Sequence, residues 1–353
     1  MSTSSLHDRI AGSLLLAGMG DALGAPTEQW SMAEILAAHG GLVTGFVTPT
    51  ADTFAGANAG KRAEVTDDAS QMYYLARALV RGGGRLDAAG WVACLLDWAD
   101  TSPKAGFMGP STVGFVAALR AGTDPALVGV IGQSRRKMTT IGTTNGAAMR
   151  VAPAGLVHPG DLDAACAQAL VTCLPSHDTD VAIAAACAIA AGTARALVTD
   201  DLADVVTACV EGGRQGATLA ARHARVGPGP RFQARLDLAL KIAGQATDDL
   251  AFLEALDAQV GASVLAAESV PAAIAILAYA KGDPLRTIAL SATIGNDTDS
   301  IATMAGALAG ALCGASALPA GLTAEFRAVN AVDYGLDALA AELAAIAQRR
   351  LAA

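Results

Sequence analysis

The pentapeptide Asn-Asp-Thr-Asp-Ser at 296–300 sets two carboxylates, Asp297 and Asp299, two positions apart and follows them with the hydroxyl of Ser300. A second run, Thr-Asp-Asp at 66–68, offers Thr66, Asp67 and Asp68. Each run stands where a helical pattern begins. Met72, Leu75, Ala76 and Leu79 share one face beyond Asp68, and an Ala/Gly-rich stretch without charge follows Ser300. Hydroxyls and carboxylates at a first helical turn suit capping, because they accept hydrogen bonds from free N–H groups and face the positive end of the dipole. Either run alone is served by that account. If the two helix starts meet, however, four carboxylates and two hydroxyls share one pocket, and uncompensated repulsion in a partly dry site is costly. Cations must then be supplied. Hard oxygens without His or Cys suit Mg²⁺, Mn²⁺ or Ca²⁺, and a site so charged can take two ions bridged by a shared carboxylate or water. More than two hundred residues separate the runs, so spacing alone does not bring them together.

The rest of the composition narrows the choice of chemistry. The 6 Cys are scattered singly in apolar helical patterns, and the 5 His form no HExxH or His/Cys pairing. A disulfide framework and a zinc site of soft ligands are both disfavoured. With 24 Lys+Arg against 33 Asp+Glu, the net charge is −9. No basic stripe with interleaved aromatics is present, which argues against a nucleic-acid partner. Mean hydropathy is high at +0.41, and Ile301 to Leu318 is long enough to raise a membrane span. That stretch is Ala and Gly rather than Leu and Ile, with Asp297 and Asp299 at its entrance, so a buried central helix is expected and no membrane partner. The N-terminus has no basic leader and meets Asp21 soon after its apolar run, so it does not read as a secretory signal. A cytoplasmic protein is expected.

The elements that would position these acids are helices. Ala- and Leu-rich periodic patterns run at about 9–19, 32–39, 66–81, 87–99, 111–121, 161–173, 178–197, 200–222, 232–243, 249–258, 269–280, 283–292 and 299–313. Only 42–48 (LVTGFVT) reads as a short strand. Loops are expected at 49–64, 101–111, 139–160 and 224–231. Gly306, Gly310 and Gly314 recur every fourth position and present a smooth face to which another helix backbone can lie close. No convincing linker or fixed-period repeat divides the 353 residues, so the expected fold class is all-α, a single compact multi-helix domain over 1–353.

Taken in order, the motifs resemble those of the ADP-ribosylglycohydrolases. GSLLLAGMGDALGAPTE (12–28) is similar to the family's opening helix, Gly-Asp-Ala-Leu-Gly turn and following Glu. TDDAS (66–70) resembles its Ser/Thr-Asp-Asp-Thr motif, and TNGAAMRVAPAGL (144–156) its Asn-Gly-Ala-Ala-Met-Arg loop. SHDTD (176–180), ESVPAA (268–273) and GNDTDSIATMAGALAGAL (295–312) complete the order. Two positions depart from the pattern: Ala69 stands for the Thr common after the second Asp, and Asn296 for the Gly often found before the later Asp. The resemblance implies an all-α fold with a dinuclear Mg²⁺ or Mn²⁺ site at helix N-termini, for which Thr66, Asp67, Asp68, Asp297, Asp299 and Ser300 are the matching ligands.

Such a site would hydrolyse an N- or O-glycosidic bond at C1 of a ribose through an oxocarbenium-like transition state, which needs negative charge near C1 and a positioned water. Asp68 or Asp299 would accept the proton of that water, and Glu28 is a candidate second acid–base group beside its reading as a surface or capping residue. Gly109, Ser111 and Thr112 on one loop, with Asn145 and Gly146 on another, would cradle a diphosphate. Arg150 would pair with phosphate or with an internal acid. His177 is a candidate substrate contact or a packing residue, and its neighbour Ser176 makes no plausible triad with it. The expected substrate is an ADP-ribosylated protein or small acceptor. The alternatives are a hydrolase of nucleosides or other ribosylated small molecules and a non-catalytic crystallin-like relative. The acceptor, the choice of ion and the oligomeric state are left open.

Overall fold

The computed structural model describes residues 5–134 and 136–352. The first half of the chain contains α1 (Leu6–Gly24), α2 (Met32–His39), α3 (Phe54–Ala57), α4 (Asp67–Arg81), α5 (Ala88–Thr101), α6 (Pro110–Arg120) and α7 (Ala152–Leu156). There follow α8 (Leu162–Cys173), α9 (Asp180–Ala196), α10 (Leu202–His223), α11 (Phe232–Gln245) and α12 (Asp249–Gln259). The last helices are α13 (Ala266–Tyr279), α14 (Pro284–Ser291), α15 (Thr298–Cys313), α16 (Ala320–Tyr334) and α17 (Leu336–Leu351). Among the described residues there is no strand, only isolated bridges such as Ser31 with Gly295.

One hydrophobic core runs continuously from Ile10 to Ala347. At its centre α1 and α15 lie antiparallel and almost wholly buried. Small residues let the two backbones touch. A Cβ added at Gly12 would come 2.3 Å from the Gly310 carbonyl oxygen, one at Gly306 2.5 Å from that of Leu16, and one at Gly20 2.3 Å from that of Ala302. The fourfold glycine spacing of 306–314 is therefore the groove for α1. A similar seam joins α9 to α10, where Gly212 and Gly216 face Cys187 and Ala184. The N-terminal part of α1 is fixed by Arg9, whose guanidinium donates to the carbonyls of Ala196 (2.8 Å) and Leu312 (2.8 Å) at the ends of α9 and α15. A cation at two helix C-termini offsets both negative dipole ends.

Several expectations need correction. The stretch 42–48 forms no strand: its Val43 N–H donates to Thr293 Oγ1 at 3.0 Å, so a side chain takes the place of a ladder. The Gly-Asp-Ala-Leu-Gly segment is not a turn but the last residues of α1, and its glycines serve close packing. The loops at 49–64 and 139–160 contain α3 and α7. Helices α16 and α17 continue past 313, joined at Gly335, which takes a left-handed φ of 58°. The stripe of α16 is sparse, only Phe326, Asn330 and Tyr334, which hides it from a search for Leu-rich faces. Among the described residues no helix is long and apolar enough to cross a membrane.

Candidate metal centre and cleft

Helices α1, α4 and α15 bring the two acidic runs together. Thr66 is the N-cap of α4, but the first turn is chiefly capped by a carboxylate from another helix. Asp21, near the end of α1, accepts from Thr66 N–H (3.0 Å to each oxygen), Thr66 Oγ1 (2.8 Å) and Ala69 N–H (2.9 Å). Burial lifts the Asp21 pKa to about 6 against the lowering pull of these donors. With the helix end satisfied from outside, Asp67 and Asp68 are free of capping duty. Asp67 accepts from Gln71 Nε2 at 2.9 Å. Asp68 Oδ1 is buried and makes no close hydrogen bond among the described residues.

On the facing wall, Asp297 is the N-cap residue of α15 yet makes no side-chain cap bond. Its Oδ2 instead accepts from Asn145 Nδ2 at 2.5 Å, and Asn145 is itself held by Ser269 Oγ (2.8 Å) and the Val264 carbonyl (2.8 Å). Asp299 Oδ1 accepts from the N–H of Ser300 at 2.9 Å. Glu28, half-buried just beyond α1, completes a trio: one oxygen from each of Glu28, Asp297 and Asp299 lies within 4.8 Å of the others.

The electrostatics follow from burial among like charges. Burial raises Asp67, Asp68 and Asp299 well above the usual carboxylate range, and the negative neighbours add to it: Asp21 and Glu28 for Asp67, Asp67 and Asp21 for Asp68, Glu28 and Asp68 for Asp299. Burial, then the charge of Asp297, pushes Glu28 up to about 7. Asp297 is also raised by burial, against donors that include Asn145 and Ser300. Among the described residues no basic side chain forms an ion pair with any of these five acids. The donor set is all oxygen, crowded and unpaired, so it fits hard divalent cations. Capping explains Thr66 and leaves Asp67, Asp68 and Asp297 unexplained.

These acids line one cleft, of about 520 Å³ counting its open mouth, together with Ser300, Gly109, Ser111, Thr112, Asn145, Gly146 and His177. Of the residues expected at the site, Thr66 alone does not line it, its hydroxyl being turned to Asp21 and, at 3.3 Å, to Asp68. Gly109 is the N-cap of α6, and Ser111 and Thr112 are buried in its first turn. His177 is buried, and burial with the nearby Arg150 charge holds its pKa well below the ordinary value, so the ring is neutral. Arg150 reaches neither phosphate nor an acid directly. It is fully buried over the Trp91 ring and donates to Gln71 Oε1 at 2.8 Å, so its charge reaches Asp67 through an amide. Sequence reasoning missed Asp21 and Gln71, and also the aromatic rim of Phe54 and Phe107, whose rings meet edge to face at 5.7 Å. An acid inside an apolar helix was the signal for Asp21, since a buried carboxylate needs donors from elsewhere.

In this all-helical fold the buried carboxylate cluster at helix starts is a candidate site for hard divalent cations. Residues 2–352 match the family model described as ADP-ribosylglycohydrolase, and the chain belongs to that family. The family is of hydrolase type, acts on ADP-ribosylated substrates and generally uses divalent metals. The chain is 35% identical over 335 residues to the uncharacterized protein YegU of Escherichia coli (strain K12), covering 93% of this chain and 94% of that one. It is 29% identical over 190 residues to an uncharacterized protein of Archaeoglobus fulgidus, with 54% and 56% covered. A solved structure titled ADP-ribosylglycohydrolase-related protein complex superposes with a TM-score of 0.67 over 97% of this chain and 99% of that chain, at 21% identity, a likeness of fold.

Proposed function

We propose that this protein is a divalent-cation-dependent hydrolase that cleaves the glycosidic bond at C1 of a ribose and releases ADP-ribose from a modified side chain or small acceptor. The observation that carries the reading is the meeting of Asp67, Asp68, Asp297 and Asp299 with Glu28 in one cavity, with no Lys or Arg ion-paired to them among the described residues. Two ions, Mg²⁺ or Mn²⁺, would be held by Asp67, Asp68, Asp297, Asp299 and Ser300, with Thr66 behind Asp68. When bound, they supply the positive charge that offsets these acids and acidifies nearby water and ribose hydroxyls. The chain's own groups do the remaining work. Asp68, whose Oδ1 makes no close hydrogen bond among the described residues, or Asp299 takes a proton from water at the ribose, and the carboxylates face the positive charge developing at C1. Glu28, at the edge of the same cluster, is the group placed to deliver a proton to the leaving group. Asn145 keeps Asp297 in one orientation. Across the cavity the first-turn N–H groups of Ser111 and Thr112 have no carbonyl one turn back, so they are donors for a diphosphate.

The test is release of ADP-ribose from ADP-ribosylated arginine, ADP-ribosylated serine and small ADP-ribosides by the metal-loaded protein. Asp299→Asn serves as a control, and nucleosides lacking the diphosphate are run beside the ribosides. Metal-dependent release lost in Asp299→Asn supports the proposal. Cleavage of the nucleosides alone would move the activity to the diphosphate-free class, and full turnover after exhaustive chelation would refute it.

A further inference from the structure

His177 lines the cavity, yet both of its ring nitrogens are already engaged within the protein: Nδ1 lies 2.8 Å from Ser176 Oγ and Nε2 3.0 Å from Thr144 Oγ1. The direction of these two bonds is fixed at the far end of the chain. Arg150 Nη2 contacts Ser176 Oγ at 3.2 Å, and a guanidinium can only donate. Ser176 is buried, so its own proton must find an acceptor or remain unpaired, and the one bonded to it among the described residues is His177 Nδ1. An Nδ1 that accepts leaves the proton of the neutral ring on Nε2. That N–H donates to Thr144 Oγ1, and the Thr144 hydroxyl proton is then turned away from the histidine. Thr144 is half-buried and lines the same cavity, so this proton points at whatever binds there. Close approach of the ring requires a glycine at the next loop position but one, since a Cβ on Gly146 would lie 2.8 Å from His177 Nε2.

We infer that Thr144 is the specificity-determining contact at this end of the cleft, a hydroxyl locked as a donor by the series Arg150, Ser176 and His177, and that it selects a ligand oxygen bearing no proton of its own, as on a phosphate. His177 is the positioning residue behind it and does not touch the ligand. The inference deepens the proposed function and rests on its reading of a ribosyl phosphate ligand. A donor with fixed direction favours a phosphate oxygen, which only accepts, over a sugar hydroxyl that itself seeks an acceptor.

The experiment measures binding of ADP-ribose, ribose 5-phosphate, adenosine and ribose to the manganese-loaded protein by calorimetry. Thr144→Val is expected to weaken both phosphate ligands roughly tenfold or more, the size of a lost hydrogen bond to a charged acceptor. It should leave adenosine and ribose unchanged, while Thr144→Ser stays near wild type. Ser176→Ala releases the ring to its other tautomer and should reproduce the Thr144→Val loss, with the double variant no weaker than either. Long-range proton–nitrogen correlation of His177 should show Nε2–H in the wild type and Nδ1–H in Ser176→Ala. Wild-type affinity in Thr144→Val, additive losses in the double variant, or an Nδ1–H wild type overturns the inference. If the wild type binds none of the four probes, the functional reading falls, and the tautomer measurement still decides the direction of the relay.

Discussion

Replacing Gly24 by Ala tests whether the seam between α1 and α15 sets the geometry of the acids. The added Cβ would lie 2.5 Å from the backbone nitrogen of Asp299 and 2.5 Å from the carbonyl carbon of Thr298. Ordinary van der Waals contact begins near 3.4 Å, so one backbone must retreat by about 0.9 Å. Flexible side chains cannot absorb this, because every near atom belongs to the main chain. The carbonyl of Gly24 is also tied to Thr298 Oγ1 at 3.0 Å, so the start of α15 moves with it. Metal ligands tolerate errors of about 0.2 Å and a misplacement near 1 Å costs on the order of 10² in rate, so manganese affinity and turnover should each fall about a hundredfold. Overpacking should cost ~1–3 kcal/mol of stability as well. The control is Gly12→Ala, whose Cβ would meet the Gly310 oxygen at 2.3 Å at the other end of the same pair, roughly 16 Å along α15 from Asp299. It should lose comparable stability and keep its manganese affinity. Calorimetric titration with manganese and thermal unfolding of both variants give the answer. Equal affinity in Gly24→Ala and wild type, or equal loss in the two variants at the same folded fraction, would refute the reasoning.

Asp299→Asn should stabilise the metal-free protein by ~1–2 kcal/mol while abolishing tight manganese binding, because it removes one of the mutually repelling charges. The raised acids contribute stability at low pH that is lost as pH rises through their folded values, so the gain in chelator should be larger at pH 8 than at pH 5; a less stable metal-free variant at both pH values would contradict the electrostatic account. Far from the cleft, burial and the guanidinium of Arg350 lower His158 from 6.5 to about 4, and the neutral ring accepts from Arg350 Nη1. Its contribution is present above pH 6.5 and lost as pH falls toward 4, so denaturant midpoints should decline less over that window in His158→Gln than in wild type.

The sequence carries the acids plainly because chemistry concentrates unlike residues at helix starts, where Thr66, Asp67 and Asp68 or Asp297, Asp299 and Ser300 interrupt long apolar patterns. It does not carry their meeting, which depends on α1 lying between α4 and α15 and touching α15 backbone to backbone. The clue was present in the glycines at 12, 20 and 24, but Gly20 and Gly24 around Asp-Ala-Leu also read as a turn, and a local pattern cannot distinguish a bend from a close crossing. Asp21 was hidden for the same reason. Its carboxylate looks like a turn residue in Gly-Asp-Ala-Leu-Gly, whereas its actual task is to cap another helix 45 positions away. His177 lines the cleft, and the count of donors around Ser176, which no sequence pattern shows, bears on which of its ring nitrogens carries the proton.

Both walls of the cleft depend on one buried cation. Arg150 donates through Gln71 to Asp67 on the acidic wall and through Ser176 and His177 to Thr144 on the other. Its donor-only guanidinium imposes one direction on each series, so the carboxylate oxygens not held by Gln71 are left as acceptors toward the cleft and the threonine as a donor. The positive charge is fully buried and, among the described residues, forms no ion pair with the acids. A lysine at position 150 keeps the charge but not the fork that serves both series. The fold thus solves orientation with an internal group, and under the proposed function it leaves charge compensation to ions from solution.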